Sequence, residues 1–160
     1  MKLDKILVPL DGSMLAETAL PAACGIAARD AAAISLLRAA EVRSLPGADT
    51  IEAQVKAVQE AEDYLARVVE RLKARGIDRV ETHVWYGPAA ASIVEAAVAQ
   101  KIDLIVMSTH GHSGLGRLVF GSVAESVLRG TRIPILIVRG ENAPVEIPQG
   151  ATHAERTSHV

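Results

Sequence analysis

Aromatic side chains are almost missing from this chain of 160 residues, which has one Trp, two Tyr and one Phe. That scarcity argues against single-stranded nucleic-acid binding, which stacks bases on aromatic platforms. It also leaves Ala, Val, Ile and Leu to build the core. Cys24 is the lone cysteine, so no disulfide can form within the chain, which fits a reducing compartment. An excess of charge is lacking too: 17 basic against 19 acidic residues give a net charge of −2. No general attraction to nucleic acid or to an anionic membrane follows from such a balance. Long apolar runs are absent as well. The N-terminal MKLDKILVPLDGS holds a run of only five residues before Asp11, too short for a signal peptide or a membrane span. These absences together lead to the expectation of a cytoplasmic protein with no nucleic-acid or membrane partner.

What is present is a chain with 49% apolar and 22% charged residues, the balance of one globular domain with a sizeable core. Lys5 to Leu10 is a short unbroken apolar run ended by Asp11-Gly12-Ser13, the pattern of a strand buried on both faces. Ser13 to Arg29 reads as a helix, with Pro21 marking a late start or a kink. Ala33 to Ala40 is a second apolar run, and Val42 to Thr50, with Pro46 and Gly47, reads as a loop. Between Ile51 and Arg75, residues Val55, Val58, Ala61, Leu65, Val68, Val69 and Leu72 recur at helical spacing, and Gly76 stands where a C-terminal cap belongs.

Val80 to Tyr86 mixes apolar with polar positions and suggests a half-buried edge strand. Pro88 suits the first turn of a helix running to about Lys101. Leu104 to Met107 reads as a buried strand, Ser122 to Arg129 as a helix, and Ile133 to Val138 as a last apolar strand. This βα alternation calls for a mostly parallel sheet with helices on both faces, an α/β fold. From Gly140 onward the chain is polar and without periodicity and reads as a flexible tail, so the domain is expected to span residues 1–139.

Chemistry concentrates between Ser108 and Ser122, where a strand passes through a glycine-rich loop into a helix. Glycines let backbone amides approach a phosphate, and a helix start offers unpaired N–H groups and the positive end of its dipole. An ordinary glycine-containing loop is the plain alternative. A P-loop is excluded because no lysine follows Lys101. The dinucleotide fingerprint begins at Gly114 and Gly116 but meets Val119 at its third glycine position. His110 and His112 lack a third nearby ligand and are better explained by loop polarity than by a metal. Cys24 has no activating neighbour in sequence, and Met107, at the end of an apolar strand, reads as core.

From Ile6 to Val138 the chain resembles the universal stress protein family. The resemblance rests on ILVPLDGS, DLIVMSTHG and GSVAESVLRGTRIPILIV, and on a G-x2-G-x9-G-S/T pattern met at Gly111, Gly121 and Ser122. Ser108 replaces the first glycine of that pattern. A serine there hinders binding if the position needs positive φ, and is tolerable if it needs only a small residue.

The resemblance implies an open five-stranded parallel sheet of order 3-2-1-4-5, the flavodoxin-like arrangement, whose winding reverses between the first and fourth strands. It also implies an adenine nucleotide, ATP or a relative with Mg, held by Pro9, Asp11, Ala39, Ser108, Gly111, Arg117, Gly121, Ser122 and Val123. In this reading Asp11 serves the adenosine end or a metal-bound water, and the backbone of Ala39 meets the base. A helix N-cap explains Asp11 equally well. Ser13 fits a cap better than a ligand, and Arg117 fits solvent better than the terminal phosphate.

The last strand is apolar yet falls at a sheet edge in that order. This predicts a homodimer through Ile135, Leu136, Ile137 and Val138. The leading functional expectation is a nucleotide-binding stress regulator. A slow ATPase is disfavoured by the lack of a general base in the loop, and a dimeric module without nucleotide is the third alternative.

Overall fold

The computed structural model describes residues 2–41, 50–109 and 121–140. In chain order the elements are β1 (Lys5–Pro9), α1 (Met14–Glu17), α2 (Leu20–Asp30), β2 (Ala33–Ala40), α3 (Thr50–Lys73), β3 (Val80–Tyr86), α4 (Ala89–Ala99), β4 (Leu104–Ser108), α5 (Ser122–Gly130) and β5 (Ile135–Val138). The five strands form one parallel sheet in the order β3-β2-β1-β4-β5. Side chains alternate across the pleat, so each inner strand feeds both faces. Ile6, Val8, Ile34, Leu36 and Val106 pack under α1, α2 and α3, whereas Leu7, Leu37, Ile105 and Met107 pack under α4 and α5. Helices on both faces explain why the inner strands read as unbroken apolar runs.

The expected helix from Ser13 to Arg29 is two helices. Pro21 has no N–H to return to the Glu17 carbonyl, so a continuous helix would lack that hydrogen bond. The chain instead tightens at Thr18 and Ala19, whose N–H groups bond three residues back to Leu15 and Ala16. It then restarts with Pro21 in the first turn of α2, where a missing N–H costs nothing. The C-terminus of α3 ends as expected. Gly76 adopts φ +80°, its N–H bonds to the Lys73 carbonyl and that of Ile77 to the Leu72 carbonyl, a Schellman closure.

Val55 departs from its expected core position. It is 61% exposed, as is Ile51 at 73%. The buried face of α3 begins only at Ala61 and runs through Tyr64, Leu65, Val68 and Leu72.

β3 lies at one edge and has no fully buried residue. Val80 and Val84 pack on the α3 side and Trp85 on the α4 side. Met107 is in the core under α4 and α5. Cys24 is partly buried on the opposite face, against the core under α1, α2 and α3, which pushes its thiol pKa up and makes it less reactive. No helix among the described residues is long and apolar enough to cross a membrane. Gly111, Arg117, His110, His112 and the expected tail from residue 141 lie outside the described residues.

Candidate functional site

The winding reversal falls between β1 and β4, and the two strands pair only at Ile6 with Leu104 and Leu7 with Ile105. Pro9 helps to end that pairing. Leu10 N–H donates to the Leu37 carbonyl of β2 at 2.8 Å. Alternation then turns the Pro9 nitrogen toward β4, where proline has no hydrogen to donate. Beyond this point the strands part around a cleft of about 400 Å³, a size suited to a small ligand. Its lining includes Pro9, Asp11, Ala39, Ser108, Gly121, Ser122 and Val123. Seven of the nine residues singled out in the sequence therefore meet at one place, and the other two, Gly111 and Arg117, lie outside the described residues.

Each wall has a local cause. On the β1 side, Ser13 caps α1 by accepting from Ala16 N–H at 3.1 Å, while Asp11 Oδ1 accepts from Ser13 N–H at 2.9 Å. The N-cap reading thus belongs to Ser13, and Asp11 instead closes the turn that leads to it. Gly12 between them takes φ +88°, which an L-residue resists, and an added Cβ would lie 3.4 Å from the Arg38 guanidinium. Gly12→Ala is expected to destabilise the fold by about 1–2 kcal/mol, read as a lower urea midpoint with an unchanged slope.

On the β4 side, Ser108 is the last residue of the strand and is in register with Val138 of β5. Positive φ occurs in the described non-glycine residues only at Ala31 and Lys101, so serine meets no conformational obstacle at 108. Thr109 N–H donates to the Val138 carbonyl at 3.1 Å, and the Thr109 carbonyl accepts from Gly121 N–H at 2.8 Å. That second bond fixes the start of α5 beside the end of β4. Gly121 is the N-cap of α5 and, like any glycine, has no side chain to cap with. The first N–H groups of α5 therefore begin at the cleft wall formed by Gly121 to Ala124. Such a helix start favours an anion.

Arg38 and Thr109 were not picked out from sequence. Arg38 is the one charged residue in the β2 run AISLLRAA, and that interruption was the available signal. Its guanidinium carbon sits 4.9 Å from the centroid of the Tyr64 ring, a cation–π arrangement. The Tyr64 hydroxyl donates to Glu17 Oε1 at 2.9 Å, and Arg71 donates to both Glu17 oxygens at 2.8 Å. Burial pushes the Glu17 carboxyl up, but hydrogen bonds from Arg71 and Tyr64 outweigh it and hold the group below its ordinary value. Burial and the neighbouring Glu17 raise the Tyr64 hydroxyl, which stays protonated as the donor.

Because Glu17 is depressed in the folded state, its contribution is complete above the unfolded carboxylate value and is lost as pH falls through the lower folded one. Glu17→Gln is expected to cost about 1 kcal/mol at neutral pH. The gap from the parent chain should close in acid below about pH 4, as followed by thermal melts across pH.

The same architecture recurs in known proteins. The sequence profile of the universal stress protein family matches residues 2–139. The chain belongs to the universal stress protein family. A protein of Staphylococcus aureus strain USA300, named as a universal stress protein, is 34% identical over 152 residues, spanning 92% of this chain and 91% of its own length. Among solved structures, the hypothetical protein MJ0577 superposes with a TM-score of 0.79 at 28% identity, over 89% of this chain and 99% of its own. A universal stress protein solved in complex with cAMP gives a TM-score of 0.68 at 25% identity, over 86% of this chain and 98% of its own. The cleft of this universal stress protein lies beyond the carboxyl ends of strands at a topological switch, where open α/β sheets place their ligands.

Proposed function

We propose that this universal stress protein binds an adenine nucleotide, ATP or a close relative, in the cleft between the ends of β1 and β4. It acts through its bound state as a regulator in stress responses. The observation that carries the reading is the convergence of Pro9, Asp11, Ala39, Ser108, Gly121, Ser122 and Val123 on one cleft that ends at a helix start. A relative in complex with cAMP supports the choice of adenine. The phosphates lie against the first turn of α5, and the adenosine end lies toward Asp11 and Ala39.

Asp11 is the one carboxylate among the described lining residues. Among those described, no group of three or more His, Cys, Asp or Glu side chains is placed to hold a metal. Magnesium tolerates such a site, since it binds through one or two carboxylates, phosphate oxygens and water. Phosphate oxygens and water would hold it on the α5 side of the cleft, while Asp11 faces the adenosine end. The cytoplasm is the compartment this reading assigns, and there Cys24 stays reduced.

Titration calorimetry with Mg-ATP tests the proposal. One nucleotide per chain is expected, and the absence of both heat and thermal stabilisation at millimolar nucleotide contradicts it. If phosphate were then released steadily, the protein would be a hydrolase and not a switch.

The second partner is another copy of the chain. β5 lies at the sheet edge with Leu136 37% exposed, and Leu128 of α5 is 53% exposed. An apolar edge strand of this kind favours pairing with its symmetry mate. Light scattering at micromolar concentration is expected to give the mass of a dimer, and Leu136→Glu to give that of a monomer. A monomeric parent chain removes the dimer from the account.

A further inference from the structure

The cleft carries positive charge at two separated places. One is the start of α5; the other is Arg38 on β2, half-buried in the cleft wall. Among the described residues no carboxylate lies within ion-pair distance of Arg38. Its one hydrogen bond there is a long one, 3.4 Å from Nη1 to the Glu60 carbonyl. It is nevertheless held in place. Tyr64 lies beneath the guanidinium at 4.9 Å, and the hydroxyl of that ring is tied to Glu17, which Arg71 fixes in turn.

A preorganised guanidinium with spare N–H groups is suited to phosphate, which it meets with two parallel hydrogen bonds. Neighbouring strands lie about 4.8 Å apart, so β2 and β4 are separated across β1 by about 10 Å. That is of the order of the length of a nucleoside. In dinucleotide-binding sheets a carboxylate reads the free ribose hydroxyl, and an arginine nearby takes a phosphate carried on it. Here Asp11 and Arg38 line the same cleft. The carboxylate suits whichever ribose hydroxyl is free, and the arginine suits the phosphorylated one.

We infer that the site prefers an adenine nucleotide phosphorylated on the ribose as well as at the 5′ position, with Arg38 as the residue that reads the second phosphate. This rests on the reading of the cleft as a nucleotide site. Glu17 and Tyr64 are then positioning residues, since they act through Arg38.

The test compares 5′-AMP with adenosine 2′,5′-bisphosphate and adenosine 3′,5′-bisphosphate by calorimetry on the full chain. At least one bisphosphate is expected to bind about tenfold or more tightly than AMP. That ratio should fall to near one in Arg38→Gln. Arg38→Lys keeps a cation and its stem over Tyr64 but loses the fork, and should give a ratio between the two. It carries the test if circular dichroism shows Arg38→Gln to be unfolded. AMP binding with no gain for either bisphosphate overturns this inference and leaves the nucleotide site standing. A gain that persists in the Arg38 variants overturns it equally. Failure of all three ligands to bind overturns this inference, and failure of Mg-ATP as well overturns the reading of the cleft as a nucleotide site.

Discussion

Gly121→Val is expected to weaken ATP binding about a hundredfold, near 3 kcal/mol, while leaving the fold intact. Gly121 has φ −56° and ψ 146°, angles open to any residue, so backbone conformation does not demand a glycine there. Space does. Gly121 lines the cleft, and its N–H is committed to the Thr109 carbonyl at 2.8 Å. A branched side chain at that point holds the phosphates away from the N–H groups of Ser122 and Val123. The hydrogen bond to Thr109 uses backbone atoms alone and survives, so circular dichroism and the melting temperature should change little. Calorimetry on the variant checks the loss, and undiminished affinity would move the phosphate site away from α5.

Ile105→Ala is expected to have the opposite profile, with a loss of stability of roughly 2–5 kcal/mol. Ile105 is fully buried in β4, in register with Leu7 of β1 and Ile135 of β5. Its side chain fills the layer under α4 and α5 with Leu7, Leu37, Ile93 and Val127. All four neighbours stand on other strands or helices held by their own contacts, so the void cannot close by a small shift. A loss of this size is a large part of a domain's total stability. Denaturant unfolding checks it, and a cost below about 1 kcal/mol would mean the layer repacks.

The strands were legible because the sheet is covered on both sides. Runs such as Ile6-Leu7-Val8 have no polar positions when helices lie above and below. Gly76 was legible because its role is set by the few residues around it, and the same holds for Ser13 as a cap. Pro21 announced a disturbance, but only the tertiary structure decided between a kink and two helices. Val55 leaves the core for another reason. Helical periodicity identifies the apolar face but not where the helix overruns the sheet it packs on.

Of the site, the glycine pattern and Asp11 were visible as motifs, and the fold brings their described members together. Ser108 posed a question of backbone conformation that its place at the end of β4 answers. Arg38 was not visible as part of the site. Its importance depends on Gly12 and Glu17 after β1 and on Tyr64 of α3, residues distant from it in the chain. No local spacing encodes such a meeting.

The most direct test of the nucleotide cleft is an amide NMR titration of the isotopically labelled full chain with Mg-ATP. The account predicts that saturable shifts concentrate at Asp11, Ala39, Ser108, Gly121, Ser122 and Val123, with little change along β3. Shifts confined to other surfaces, or none at millimolar nucleotide, would contradict it.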